Sequence, residues 1–214
     1  MKRFISILLC MILVLGLAAC GSKTADTAQN DQIAESKEAQ DTSSELSTES
    51  TAVPQTSKDV LVVYFSATGT TKGVAEKIAG ITGADIYEIK AAQEYSDADL
   101  DWNDPDSRST LEQNDPSVRP EIGSEAISLD GYSTIYIGYP IWWGEEPRIM
   151  DTFVESYNFD GITMIPFCTS SSSGIGMSGK NLADNAQSGQ WLDGKRFGAG
   201  ASEEEIASWI NGLQ

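Results

Sequence analysis

Histidine is absent from the 214 residues of this chain, and cysteine occurs only three times. Without histidine there is no serine–histidine–acid triad and no histidine-ligated zinc, and three cysteines cannot build a disulfide framework. Basic side chains are scarce as well: Lys and Arg number 14 against 32 Asp and Glu, for a formal net charge of -18. Such a surface repels a phosphate backbone and excludes nucleic acid as a partner. No segment repeats, so the length suits one domain with additional segments. With these side-chain chemistries missing, a cofactor is expected to supply the reactivity; no catalytic residue and no metal site is assigned.

Lys2 and Arg3 precede an apolar run from Ile5 to Ala19, the layout of a secretory signal and too short for a comfortable membrane span. Its end, Leu17-Ala18-Ala19-Cys20-Gly21, resembles the lipobox of bacterial lipoproteins. The resemblance implies cleavage after residue 19, lipid on the Cys20 thiol and a membrane anchor on the extracytoplasmic face. An ordinary signal peptide with an incidental cysteine would export the chain equally. Cys10 leaves with the signal, and Cys168 has no mature partner except Cys20, so no structural disulfide is expected. Residues 20–57 are rich in Ser, Thr, Ala, Gln, Asp and Glu, with too few large apolar side chains to offset the entropy of ordering. They read as an acidic disordered tether with a reach on the order of 35 Å.

From Lys58 to Gln214, apolar runs alternate with helical patterns, which predicts a parallel α/β sheet. Val60 to Tyr64 is a strand buried on both faces. A helix starting near Lys72, carrying Val74, Ile78 and Ile81, ends at Gly80 or Gly83, and Asp85 to Ile89 resumes as a strand. Thr134 to Gly138 is the third strand. Pro147 opens a helix with Ile149, Met150, Phe153, Val154 and Tyr157 on its apolar face. Thr163 to Phe167 is the fourth strand, where Pro166 removes a ladder donor and predicts an irregularity or a strand end. Ser202 and Glu205 form a capping box before Ile206, Trp209, Ile210 and Leu213.

The turn after the first strand reads Ser66, Ala67, Thr68, Gly69, Thr70, Thr71. At a helix start, exposed N–H groups and the dipole favour an anion; hydroxyls add donors, and Gly69 permits close backbone approach. The loop lacks the glycine spacings of nucleoside-triphosphate and dinucleotide sites, which points to a mononucleotide phosphate. A capped turn without a ligand uses the same residue types.

In this position, Ser66, Thr68, Gly69 and Thr71 resemble the phosphate-binding loop of flavodoxins: hydroxyl, spacer, Thr-Gly, spacer, Thr. The resemblance covers essentially all of 58–214. It implies a flavodoxin-like doubly wound sheet of five parallel strands, order 2-1-3-4-5, with helices on both faces and FMN at the switch point. Ser66, Thr68, Gly69 and Thr71, with the backbone of Ala67 and Thr70, would hold the FMN phosphate. After the third strand, Pro140, Ile141, Trp142, Trp143 and Gly144 fall where the resemblance places the ring loop. Trp143 would stack on the flavin and the Gly144 peptide would reorient on reduction, although paired tryptophans also serve as core. Thr169, Ser170 and Gly174, in the polar stretch after the fourth strand, would meet the pyrimidine edge, or form a plain loop.

That stretch departs from the family in lacking a second aromatic, which leaves one flavin face open or covered by Trp102 or Tyr95. Both belong to an insertion between Ala91 and Pro120, which resembles that of one flavodoxin-like subgroup. Trp143, Glu145 and Glu146 are expected to lower the second-electron potential by desolvation and repulsion. Three functions are open. The first is electron transfer between redox partner proteins. The second is an NAD(P)H-dependent FMN enzyme reducing a quinone or small acceptor. The third is a non-redox lipoprotein that binds a phosphorylated ligand.

Overall fold

The computed structural model describes residues 59–213. The expected signal peptide at 1–19, the lipidated Cys20 and the linker to residue 57 lie outside the described residues.

Strand β1 (Val60–Phe65) leads into helix α1 (Thr70–Thr82), and strand β2 (Asp85–Ile89) follows. Gly83 ends α1 at φ 69°, with its N–H bonded to Ala79 O, a left-handed cap that glycine adopts without steric cost. The chain then makes its long excursion, with helix α2 (Arg108–Asn114), before strand β3 (Thr134–Pro140) and helix α3 (Arg148–Glu155). Strand β4 (Thr163–Thr169) and helix α4 (Ser178–Ala186) precede two short strands, β5 (Gln190–Trp191) and β6 (Lys195–Phe197). Helix α5 (Glu203–Asn211) closes the domain, its N-cap Ser202 accepting from Glu205 N as the capping box predicts.

The sheet is parallel throughout, in the order β2-β1-β3-β4-β5, with β6 also paired to β4. This is the doubly wound order 2-1-3-4-5, the fifth position being shared by two short strands. Alternation along the central strands supplies two cores. Leu61, Val63, Phe65, Ile135, Ile137 and Met164 pack with Ile149, Phe153 and Leu182 of α3 and α4 on one face. Val62, Tyr64, Tyr136, Ile165 and Phe167 pack with Val74, Ile78, Ile206 and Ile210 of α1 and α5 on the other. Burying each such side chain contributes about 1.5–3 kcal/mol.

The irregularity expected at Pro166 lies in its neighbour. Pro166 is mid-strand, paired with Ile137 of β3. The carbonyls of Ile162 and Met164 accept from Gln190 and Leu192, so by alternation the Pro166 nitrogen faces the same outer side. There β5 and β6 are separated, and the missing donor falls at the break. Gly194 sits in it, where a Cβ would approach Pro166 O to 2.6 Å. Three boundaries shift here: β3 and β4 each run two residues past their predicted ends, and Pro147 is the N-cap of α3 instead of its first residue.

A further close approach is at Gly138, opposite Phe167 in the β3–β4 register. A Cβ there would lie 2.0 Å from Phe167 Cζ. Gly138→Ala is therefore expected to cost about 1–3 kcal/mol of stability, read as a lower urea midpoint; an unchanged midpoint would show that the ring moves aside freely.

Candidate functional site

Strand order reverses between β1 and β3, with β2 on one side of β1 and β3 on the other. A crevice opens at such a switch point, beyond the carboxyl ends of the strands. Two loops flank it, residues 66–69 and 141–147.

The first loop turns into α1 through Gly69 at φ 84°, and no side chain caps the helix. The first-turn N–H groups thus face outward at the positive end of a 13-residue helix. Ser66 Oγ is buried without a hydrogen-bond partner, an orphan that a phosphate oxygen would satisfy. Thr71 is buried, and its hydroxyl is engaged with Thr169 Oγ1 at 2.8 Å, tying the start of α1 to the end of β4.

Two adjoining hollows continue from this loop. A recess of about 220 Å³ lies among Thr68, Thr70, Pro140, Thr169, Ser170, Ser171 and Ala199. It shares Thr68 and Ser171 with a cleft of about 540 Å³, also lined by Leu100, Trp102, Ser109, Ile141, Trp142 and Trp143. One end therefore presents hydroxyls and helix N–H groups, and the other presents indoles and aliphatic side chains. Ser66 and Ala67 instead border a separate pocket beside Tyr95, and neither they nor exposed Gly174 line the two hollows.

Residues 142–145 form a tight turn. Trp142 N–H donates to Glu145 O at 2.9 Å, and Glu145 N–H donates to Trp142 O at 3.0 Å. Both central residues have positive φ, 51° at Trp143 and 88° at Gly144, the mark of a mirror-image hairpin turn. Glycine adopts this freely, whereas tryptophan is strained there. The hydrogen-bonded turn places the Trp143 indole at the cleft, 46% exposed. Trp142 packs edge-on against Phe65 and Tyr95, with centroids at 5.7 and 5.2 Å.

The insertion braces this turn. Its neck is closed by Ala92 N–H to Glu121 O and Gly123 N–H to Lys90 O, at 2.8 and 2.7 Å. Gln113 of α2 donates from Nε2 to the carbonyls of Trp142 and Glu146, at 3.1 and 3.2 Å. Buried Arg148 donates to Gln113 O at 3.1 Å and to Glu145 Oε2 at 2.9 Å, with Asp151 at 3.6 Å.

Of the two aromatic candidates for the open flavin face, Tyr95 is committed elsewhere. Its hydroxyl donates to Glu112 Oε2 at 2.6 Å, and Arg108 lies 3.9 Å over its ring. Trp102 lines the cleft at 75% exposure. In the loop after β4, Arg196 donates to the carbonyls of Ser170 and Ser171, both at 2.5 Å, and to Ser170 Oγ at 3.2 Å. Ser170 Oγ in turn donates to Ser173 O, so this hydroxyl is engaged within its loop. Leu100, Gln113, Ala199 and Arg196 carried no signal in the sequence, because only the chain's long-range path brings them here.

The electrostatics differ from the sequence expectation. Glu145 is paired with Arg148. Glu146 is 1% exposed, and burial pushes its carboxyl up to about 7, with Asp151 and Glu145 adding repulsion against hydrogen bonds from the backbone and Asn181. Two unpaired carboxylates are thus not what faces the ring loop. Burial likewise pushes the free thiol of Cys168 up to about 12. Among the described residues, no group of three or more Cys, Asp or Glu side chains is placed to hold a metal ion.

An uncapped helix start, an orphaned hydroxyl and an indole-lined cleft at the switch point define a doubly wound domain built for a mononucleotide with a flat aromatic group. The chain belongs to the flavodoxin family, whose model matches residues 59–213. A protein of Bacteroides uniformis ATCC 8492, provisionally named a flavoprotein, has a crystal structure 47% identical to this chain. That match covers 72% of this chain and 97% of the other, with a TM-score of 0.69. A similarly named protein of Bacteroides eggerthii DSM 20697 is 43% identical over 72% and 97% of the two chains, with a TM-score of 0.68. A flavoprotein of Lactobacillus acidophilus NCFM, crystallised in complex with FMN, shares the fold at 24% identity. It covers 71% of this chain and 98% of the other, with a TM-score of 0.55. None of the curated proteins matches the chain.

The strained turn generates a direct expectation, because Asn-Gly is the preferred pair at its two central positions. Trp143→Asn should raise the unfolding free energy of the ligand-free protein by about 1 kcal/mol while removing one cleft wall. Thermal melts check this; a lower melting temperature would mean that indole packing outweighs backbone strain.

Proposed function

We propose that this domain binds FMN and carries electrons between protein partners, held at the extracytoplasmic face of a membrane through lipid on Cys20. The observation that carries the reading is the adjacency of the two hollows: a hydroxyl-lined recess at a helix N-terminus shares Thr68 and Ser171 with a cleft walled by Trp142 and Trp143. This polarity gradient matches a phosphate at one end and an isoalloxazine at the other. The related flavoprotein of Lactobacillus acidophilus, crystallised with FMN, supports the same choice of ligand.

Ser66, Thr68 and the N–H groups of Thr70 and Thr71 would hold the phosphate without a countercharge. Trp143 would cover one ring face, with Trp102 supplying an aromatic wall from the insertion. When bound, FMN supplies the one- and two-electron chemistry. The side chains supply desolvation, orientation and restraint. Gln113 and Arg148 hold the ring-loop turn, and Arg196 holds the loop after β4.

The exposed indoles of Trp143 and Trp102 beside Leu100 favour one second reading, a reductase in which a flat small acceptor enters the same cleft. A single experiment separates the readings. The 58–214 domain, incubated with FMN and passed over gel filtration, should retain flavin with quenched fluorescence and oxidise NADPH no faster than free FMN does. Rapid NADPH oxidation would support the reductase, and loss of flavin would remove both redox readings. Trp143→Ala should weaken FMN binding roughly tenfold, the equivalent of about 1.4 kcal/mol of lost stacking.

The anchor is tested separately. In cells, Cys20→Ser should move the protein from the membrane to the soluble fraction, because a bare chain has no acyl methylenes to bury. Unchanged membrane association would remove the lipoprotein proposal.

A further inference from the structure

Glu146 follows the ring-loop turn directly and faces away from the aromatic cleft, into a second, polar cleft of about 460 Å³ between α2, α3 and α4. Its carboxyl is nearly free of solvent contact, yet no cation is committed to it. Arg148, the nearest basic residue in sequence, directs its terminal nitrogens to Glu145, Gln113 O and Asp151, and its Nε bonds nothing, Glu146 included. Arg119, also on the cleft, is held in a two-point pair with Glu155 at 2.8 and 2.7 Å. What Glu146 has is a backbone N–H, its own, and one side-chain amide donor, Asn181 Nδ2, at 3.3 Å.

The groups around it are otherwise acidic or neutral. Glu145 adjoins it in its own loop, Asp151 comes from α3, and Asp184 and Asn185 line the cleft from α4. Tyr139 of β3 is a neutral phenol bonded to Ser178. Gln113 of α2 reaches the Glu146 carbonyl, and the same amide nitrogen reaches the Trp142 carbonyl. Glu146 thus joins the ring loop on one side to a polar opening on the other.

We infer that the Glu146 carboxyl is a redox-linked proton site, taking up one proton from water through the polar cleft when the cofactor beside the Trp142–Glu145 turn is reduced. The inference rests on the FMN reading. The electron comes from the donor protein and the proton from solvent; carboxylate becomes carboxylic acid, and oxidation returns both. The driving force is electrostatic, because negative charge added beside the ring loop disfavours a second, uncompensated charge at Glu146. Reciprocity then requires that protonating Glu146 make reduction easier. Burial already raises this carboxyl towards neutrality, and reduction raises it further, so uptake is fully expressed between the two values and fades at pH well below both.

The test is the midpoint potential of bound FMN against pH in the wild type and in Glu146→Gln, which keeps the acceptor for Asn181 but cannot titrate. The wild type should show a change of slope at about pH 7 or above that the variant lacks, while FMN affinity stays within about twofold. Identical profiles in two flavin-loaded proteins would overturn the inference. Should Glu146→Gln fail to fold, Asn181→Leu should move the change of slope to higher pH, since it removes the one side-chain donor to the carboxylate; an unmoved profile would equally overturn the inference. Infrared difference spectra of the flavin-free protein distinguish the remaining case. A protonated-carboxyl band that disappears through neutral pH and is missing in Glu146→Gln, in a protein that retains no FMN, would show the proton site real and the FMN reading wrong; redox linkage would then fall with that reading.

Discussion

The parallel pairing of β1 with β3, on the side of β1 opposite β2, is the constraint on which the rest of the site depends. Crossovers leaving the sheet in opposite directions cannot both cover its carboxyl end, and the gap becomes a crevice. The loop after β1 and the loop after β3 are brought to its two sides by strand register alone. Their backbone then determines what the crevice presents: N–H groups at an uncapped helix start, and an indole held out by a turn with positive φ at both central residues.

Holding that turn has a cost that other elements offset. Tryptophan in the left-handed region is strained. Gln113 bonds two carbonyls, and Arg148 ties Gln113 and Glu145 together. The insertion after β2 is thus structural support for the ring loop as well as a wall of the cleft through Leu100 and Trp102. A similar arrangement holds on the far side, where Arg196 of β6 fixes the carbonyls of Ser170 and Ser171. Two of the loops around the crevice are thus restrained from outside it, which favours a preorganised binding site.

The electrostatic character of the site follows from pairing more than from net charge. A count of acidic residues suggests a cofactor repelled by carboxylates on every side. Glu145 is neutralised by Arg148, and Glu146 is driven towards its uncharged form by the loss of water around it. Local desolvation outweighs the distant charges because those are screened by solvent and salt, whereas a buried carboxyl has no such relief.

The strands and the turn into α1 were legible in the sequence because each rests on local rules, whereas the ring-loop position came from the resemblance. Continuous apolar runs mark strands buried on both faces, Gly83 marks a helix end, and Ser202 with Glu205 marks a helix start. The loop Ser66 to Thr71 could be read as a turn that exposes consecutive backbone N–H groups, because sequence order alone places these together. The partner of Tyr95, the engagement of Ser170 and Thr71 within the protein, the reach of Gln113 to two carbonyls and the isolation of Glu146 could not be read. Nor could the split between β5 and β6 opposite Pro166, since a proline shows that a donor is missing but not which side of the sheet it faces. Local composition determined the elements and the phosphate-type turn; only tertiary structure decided which side chains remain free to meet a ligand, because hydrogen bonding, pairing and desolvation depend on residues distant in sequence.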